Sequence, residues 1–202
     1  MNKAETPRLA AVLLAAGASR RLGQPKQLVK LGGESLVRRA AGLLLKLGAD
    51  PVVVVTGFRP QDITRELEDL TLTYAFNSEW EQGMGNSIAC GMRNVPPGVD
   101  GVLLMLCDQW RLDLKDLLNL KSSWKSDISR IILSGWNDGK SDNTGPPAIF
   151  PGELIPELLF VNGKRGAKPV IDSHREIVRV AEVKNAAYDL DEPRDLSQFD
   201  EL

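Results

Sequence analysis

The chain has 202 residues, 43% of them hydrophobic and 26% charged, with a formal net charge of −2. That length suits one domain with a large buried core. A near-neutral, slightly acidic balance gives no electrostatic reason to expect a nucleic-acid partner, so phosphates must be held by a few local cations and backbone amides. In chain order, the apolar run Leu9 to Leu14 reads as a buried strand. Ser35 to Leu47 carries apolar residues at helical spacing and ends at Gly48, a stop signal. Val52 to Thr56 is a β-branched strand, Gln61 to Leu67 a short helix and Leu72 to Phe76 a strand. Ser87 to Met92 opens a helix after a glycine-rich turn, Val102 to Leu106 is another strand, and Asp113 caps a helix running to about Ser123. Ile131 to Gly135, Ala148 to Phe150 and Ile177 to Val183 read as further strands. Gly166 to Ser173 and Pro193 to Phe199 read as helices, and the Gly-, Asn-, Asp- and Pro-rich stretch from Asn137 to Pro147 as a long loop.

Alternating strands and helices predict an α/β fold, a mostly parallel sheet covered on both faces. Ligands of such sheets bind beyond the carboxyl ends of the strands. The segments that follow the apolar runs therefore matter most: Ala15 to Lys26, Gly57, Asn77 to Ser87 and Asp108.

The first of these segments has the chemistry of a triphosphate cradle. After Leu14 come Ala15, Ala16 and Gly17, small enough for close approach to the backbone, then Ser19, Arg20, Arg21, Gly23 and Lys26. Arg21 offers a planar fork to phosphate oxygens and Lys26 a mobile point charge. Two commoner cradles are excluded: Gly17 to Gly23 lacks the G-x-G-x-x-G of dinucleotide folds, and Gln24 stands where an ATPase loop needs lysine. Asp108, just past a strand, suits Mg²⁺, which takes one or two carboxylates plus phosphate oxygens.

Leu14 to Lys26 also matches L-A-A-G-x-S-x-R-x-G-x-x-K, and the chain thereby resembles the nucleotidyltransferases that act on the molybdenum cofactor, in particular their cytidylyltransferase branch. Further segments match in the same order. Asn77 to Ile88 resembles N-x-x-W-x-x-G-x-x-x-S-I, and Asp108-Gln109-Trp110 resembles D-Q-P with tryptophan in place of proline. Gly145 to Phe150 resembles G-x-P-x-x-F, Asn162 to Lys168 resembles L-x-G-D-x-G-A-R with Lys164 reversing an acidic position, and Asp189 to Leu196 resembles D-I-D-T-P-E-D-L.

The resemblance implies a Rossmann-like three-layer α/β/α nucleotidyltransferase fold, a single domain over 1–202 with a nucleotide-binding half, 1–112, and a substrate-side half, 113–202. It implies transfer of CMP from CTP to the phosphate of a molybdopterin-type cofactor, with Mg²⁺ as cofactor and a molybdoenzyme as a further partner. Lys26, Arg21 and Asp108 are the implied catalytic residues. Leu14, Ala15, Ala16, Gly17, Ser19, Asn77, Gly83 and Ser87 join Arg21 and Lys26 at the nucleotide. The metal falls to Asp108 and Asp191, with Asp189 the alternative, and the substrate side to Gly145, Pro147 and Gly166. Two other functions remain open: the same fold acting with GTP or on a sugar or alditol phosphate, and a non-catalytic carrier of the molybdenum cofactor.

Cys90 and Cys107 lie outside any paired zinc spacing and read as reduced core thiols. His174, the single histidine, belongs to the surface. No run reaches the about 18 apolar residues of a membrane span. The polar stretch Met1 to Arg8 is not a secretory signal, so the expected location is cytoplasmic.

Overall fold

A computed structural model describes residues 6–201; the first five residues of the polar stretch Met1 to Arg8 lie outside the described residues. β1 (Leu9–Leu14) leads through the loop of residues 15–25 and a 3₁₀ turn (Lys26–Leu28) into a small hairpin, β2 (Lys30–Leu31) and β3 (Glu34–Ser35). Then follow α1 (Leu36–Leu47), β4 (Val52–Thr56), α2 (Pro60–Glu66), β5 (Thr73–Phe76), α3 (Met84–Met92), β6 (Gly101–Leu106) and α4 (Leu114–Ser126). The remaining elements are β7 (Ile131–Asn137), β8 (Asp142–Pro151), α5 (Ile155–Leu158), α6 (Lys168–Ser173), β9 (Val178–Glu182) and a 3₁₀ helix (Pro193–Glu201).

Seven strands form one sheet in the order β5-β4-β1-β6-β8-β7-β9. β1, β4, β5 and β6 pair in parallel, β7 pairs in parallel with β9, and β8 runs antiparallel to both β6 and β7. The chain first winds outward from β1 to β4 and β5, then crosses back to place β6 on the other side of β1. That reversal opens a crevice beyond the carboxyl ends of β1 and β6, the usual ligand position in open α/β sheets.

Successive strand side chains point to opposite faces. Leu9, Ala11, Leu13, Val52, Val54, Leu103 and Met105 pack under α1, α2 and α4, against Val37, Ile63 and Trp124. Val12, Leu14, Val53, Val55, Val102 and Leu104 pack on the other face, against Ile88, Leu158 and Val170 of α3, α5 and α6. Both faces are covered, which is why the strands read as continuous apolar runs. α1 ends because Gly48 adopts φ 75° and returns its N–H to the Leu44 and Leu45 carbonyls. α4 begins at a reciprocal capping box between Asp113 and Asp116.

The structure corrects the sequence reading in several places. α3 begins at Met84 rather than Ser87, because Gly83 takes the capping position. The helix expected from Gly166 begins at Lys168, and the last helix is 3₁₀. The loop expected from Asn137 to Pro147 is instead a hairpin arm: β7 runs through Asn137 and β8 starts at Asp142. Its turn is closed by Asp138, whose carboxylate accepts the Lys140 and Ser141 N–H groups at 2.9 Å each. Turn-forming residues thus crowd a tight reversal, and the rest of the stretch is held by backbone pairing beyond the apolar core.

Among the described residues, no helix is long and apolar enough to cross a membrane. His174 lies just past α6, its ring 2.8 Å from the Glu157 carboxylate.

Candidate active site

The segment after β1 is fixed from below by backbone bonds and one buried side chain. Ala15 N–H donates to the Val55 carbonyl, and the Ala16 carbonyl accepts the Phe58 N–H, each at 2.9 Å. Gln27 is 1% exposed, and its amide nitrogen donates to the carbonyls of Ala15 (3.0 Å) and Gly17 (2.6 Å). Pulling those carbonyls inward leaves the opposite side of the loop for its amides. Ser19 takes the left-handed conformation, φ 52°, and accepts the Lys26 N–H at its hydroxyl, 3.1 Å away. Ser19 therefore closes the turn that aims Lys26. A Cβ on Gly17 would meet nothing within 4 Å, so the loop faces open space there.

Lys26 is the hub of the site. Its ammonium contacts the buried Asp108 carboxylate and lies 3.3 Å from Asp191 Oδ1. Burial pulls the Lys26 pKa down, but the charge and hydrogen bond of Asp108, with help from Asp191, outweigh it and hold the group above its usual range. Arg21 reaches Asp191 Oδ2 at 2.8 Å from an exposed position. Asp108, Asp189 and Asp191 each offer an oxygen, all within 4.8 Å of one another. Partial withdrawal from water, and then the charges of Asp108 and Asp191, raise the Asp189 pKa.

These carboxylates fit a hard divalent cation. The set is all oxygen, as Mg²⁺ and Mn²⁺ prefer. Asp108 is 4% exposed, and its Oδ1 is buried without a hydrogen-bond partner. Such an orphan acceptor is costly unless something positive binds it. Neighbouring Cys107 is buried, and burial followed by the Asp108 charge pushes its thiol pKa up to about 12. It is a filler, not a nucleophile.

Two cavities lie side by side here, and the first of them reaches Lys26 and Asp108. One, about 210 Å³, is lined by Leu14, Ala16, Gly17, Lys26, Gly83, Ser87 and Asp108, with Gln27 and Trp80. The other, about 230 Å³, is lined by apolar groups of β6, β7, β8 and α3, by Gly145, Pro146 and Gly166, and by the cations Arg165 and Lys168. They share Leu14, Met84 and Leu106 as a common wall.

Other expected residues act from behind these surfaces. Ala15 packs into the core under α1. Asn77 is buried and donates to the Ser87 hydroxyl at 3.0 Å, so it orients Ser87. Pro147 lies within β8, where its carbonyl accepts the Ser134 hydroxyl at 2.6 Å beside a register shift in the β7–β8 ladder. Gly83, at φ 130°, presses on the backbone of Gly163, where any Cβ would sit 2.5 Å away. That close approach docks the Asn162–Lys168 segment onto α3, helped by Gly85 N–H donating to the Gly163 carbonyl at 2.8 Å and Asn86 accepting the Gly163 N–H at 2.9 Å.

The sequence reading missed Gln27, Asn86 and the apolar wall. A glutamine following the loop lysine carries no spacing signal, and its role exists only once the loop curls over it.

A family model described as the MobA-like NTP transferase domain matches residues 11–178. The nicotine blue oxidoreductase of Paenarthrobacter nicotinovorans is 30% identical, with 83% of each chain covered. The purine catabolism protein PucB of Bacillus subtilis is 29% identical over 83% of this chain and 82% of its own. A shorter match, 39% identical over 31% of each chain, is to a probable molybdenum cofactor guanylyltransferase of Opitutus terrae. Among solved structures, a homologue of Mycobacterium tuberculosis Rv0371c from Mycobacterium sp. strain JC1 is similar with TM-score 0.75, 26% identity, and 95% of this chain and 94% of that chain covered. The manganese complex of Rv0371c from Mycobacterium tuberculosis H37Rv superposes with TM-score 0.73 at 21% identity, covering 95% of this chain and 97% of that one.

Proposed function

The chain belongs to the MobA-like NTP transferase domain family and is a nucleotidyltransferase, and from that premise we propose that it transfers CMP from CTP to the phosphate of a molybdopterin-type molybdenum cofactor. The observation that carries the reading is the meeting of Lys26, Asp108, Asp189 and Asp191 at a cavity that adjoins a second one. A transferase needs a nucleotide cavity that carries charge and an acceptor cavity next to it. Base and ribose occupy the cavity walled by Ala16, Gly17, Gly83 and Ser87, and the triphosphate follows the loop towards Arg21 and Lys26. CTP is preferred because the loop reads Leu-Ala-Ala-Gly, as in the cytidylyltransferase branch that it resembles.

In the reaction, an acceptor phosphate oxygen bonds to the α-phosphorus and the bond to the β-phosphate breaks, releasing pyrophosphate. The acceptor phosphate is already ionised at neutral pH, so no side chain has to remove a proton. Lys26 shifts from its carboxylate partners onto phosphate oxygens, where it offsets the charge that accumulates in the transition state. Asp108 and Asp191, with Asp189, would hold Mg²⁺, which supplies charge neutralisation at the same oxygens. Arg165 and Lys168 face the acceptor cavity and suit an anionic acceptor with an apolar or flat body. Gly145 and Gly166 line that cavity, and Pro147 supports it from within β8. The product would pass to a molybdoenzyme in the cytoplasm.

Pyrophosphate release with each of the four nucleoside triphosphates, Mg²⁺ and purified molybdenum cofactor tests this reading. Release with CTP and cofactor together supports it. Release with GTP alone among nucleotides moves the chain to the guanylyltransferase activity. Turnover only with sugar or alditol phosphates replaces the acceptor.

A further inference from the structure

Trp110 replaces the proline of the motif that the Asp108 turn resembles, and it is 1% exposed. It anchors a third apolar cluster, separate from the two that cover the sheet: Leu22, Leu36, Trp110 and Leu190, with Tyr188, Leu196 and Phe199 packed against them. Its ring centroid lies 4.8 Å from that of Phe199 and 6.1 Å from that of Tyr188. The membership has a pattern. Leu22 follows Arg21, Trp110 lies two residues past Asp108, and Leu190 is flanked by Asp189 and Asp191. Leu190 is fully buried, and its N–H donates to the Asp108 carbonyl at 3.0 Å. Each charged segment of the site is thus rooted in one cluster beneath it.

We propose that Trp110 is a positioning residue for the carboxylate site: by filling this cluster against Leu190 and Phe199, it sets where Asp189 and Asp191 stand relative to Asp108. The proposal rests on the divalent-metal reading of those carboxylates. Oxygen ligands drawn from segments far apart in the chain bind a cation well only when the backbone spacing is fixed in advance. The hydrogen bond from Leu190, with the Gln109 amide donating to the Ala186 carbonyl at 3.0 Å, fixes the backbone of the segment on one side. The aromatic contacts of Trp110 fix the inclination of the segment, because they grip it again at Tyr188 and Phe199, outside the acidic residues. The indole N–H has no partner, and phenylalanine keeps an aromatic face both for Phe199 and for the Arg111 guanidinium that lies 4.8 Å from the Trp110 ring centroid and 4.0 Å from that of Tyr188.

The test measures Mn²⁺ binding to the full chain by electron paramagnetic resonance of the free ion. The set comprises wild type, Trp110→Phe, Trp110→Ala, Phe199→Ala and the double alanine variant. Loss of a group that orients metal ligands costs about 10- to 100-fold in affinity, so Trp110→Ala and Phe199→Ala should each bind at least about tenfold more weakly while Trp110→Phe stays near wild type. The double variant should be no weaker than the worse single, since both break one contact. Pyrophosphate release by the alanine variants should recover at high Mn²⁺, which a general folding defect would not permit. If Trp110→Ala does not fold, Phe199→Ala at the periphery carries the comparison with Trp110→Phe. Unchanged Mn²⁺ affinity in folded Phe199→Ala, or fully additive losses, overturns the positioning role. Absence of Mn²⁺ binding by the wild type overturns the metal reading itself, and the proposal with it.

Discussion

Replacing Lys26 by methionine keeps most of the aliphatic stem and removes only the charge, and it should cost the protein stability as well as activity. Lys26 has 20% of its side chain exposed and Asp108 only 5%, so their ion pair is shielded from water on the carboxylate side. Removing one partner of a buried pair costs about 3–5 kcal/mol, because the other charge stays behind without compensation. Here the penalty is sharpened by Asp189 and Asp191, whose oxygens lie within 4.8 Å of the same spot. It is eased by the partial exposure of Lys26, which places the expected loss at the lower end, about 3 kcal/mol. With a urea m-value of about 2 kcal/mol/M, that moves the unfolding midpoint down by about 1.5 M. The double variant Lys26→Met/Asp108→Asn removes the stranded charge and should recover more than half of the loss. Mn²⁺ or Mg²⁺ should stabilise Lys26→Met more than wild type, because a cation then occupies the ammonium's place among the carboxylates. Pyrophosphate release should fall by about 10² to 10³, the usual cost of one electrostatic contact to a developing charge. A Lys26→Met midpoint equal to wild type in the absence of divalent metal would refute the reasoning.

Two further outcomes follow from the same centre. The folded-state pKa of Asp189 is raised, so its protonated form is favoured by folding; that contribution is complete below the unfolded value of 3.8 and is lost as pH rises through the folded value. Asp189→Asn should therefore raise metal-free stability at neutral pH and flatten its fall above pH 3.8, measured by urea titration across pH; a loss of neutral-pH stability would contradict this. Gln27→Met keeps the buried volume but removes both donors to the phosphate-loop carbonyls, and nucleotide binding measured by calorimetry should weaken by about tenfold, the equivalent of one hydrogen bond at the upper end of its usual range. An unchanged nucleotide affinity would show that the loop holds its shape without Gln27.

Much of this architecture is legible in the sequence because it rests on local rules. The runs Leu9–Leu14 and Val52–Thr56 appear as strands with the expected ends, since strands buried on both faces must be apolar throughout. Gly48 ends α1 and Asp113 caps α4, because helix termini need those residue types whatever surrounds them. The loop after β1 and the positions of Asp108, Asp189 and Asp191 are visible as motifs. Their convergence was not, since Lys26 and Asp191 are far apart along the chain and meet only through the crossing that puts β6 beside β1 and returns the C-terminal segment to its end. Nor did local rules separate a loop from a hairpin between Asn137 and Pro147, where pairing with a neighbouring strand overrides a turn-rich composition. Local patterns in the sequence carried most strands and helices outside Asn137 to Pro147, and the kinds of charge that follow β1. Only the tertiary structure decided which charges share a site, which residues stand behind them and that a second cavity adjoins the one they line, because those properties depend on distances between segments that no local pattern encodes.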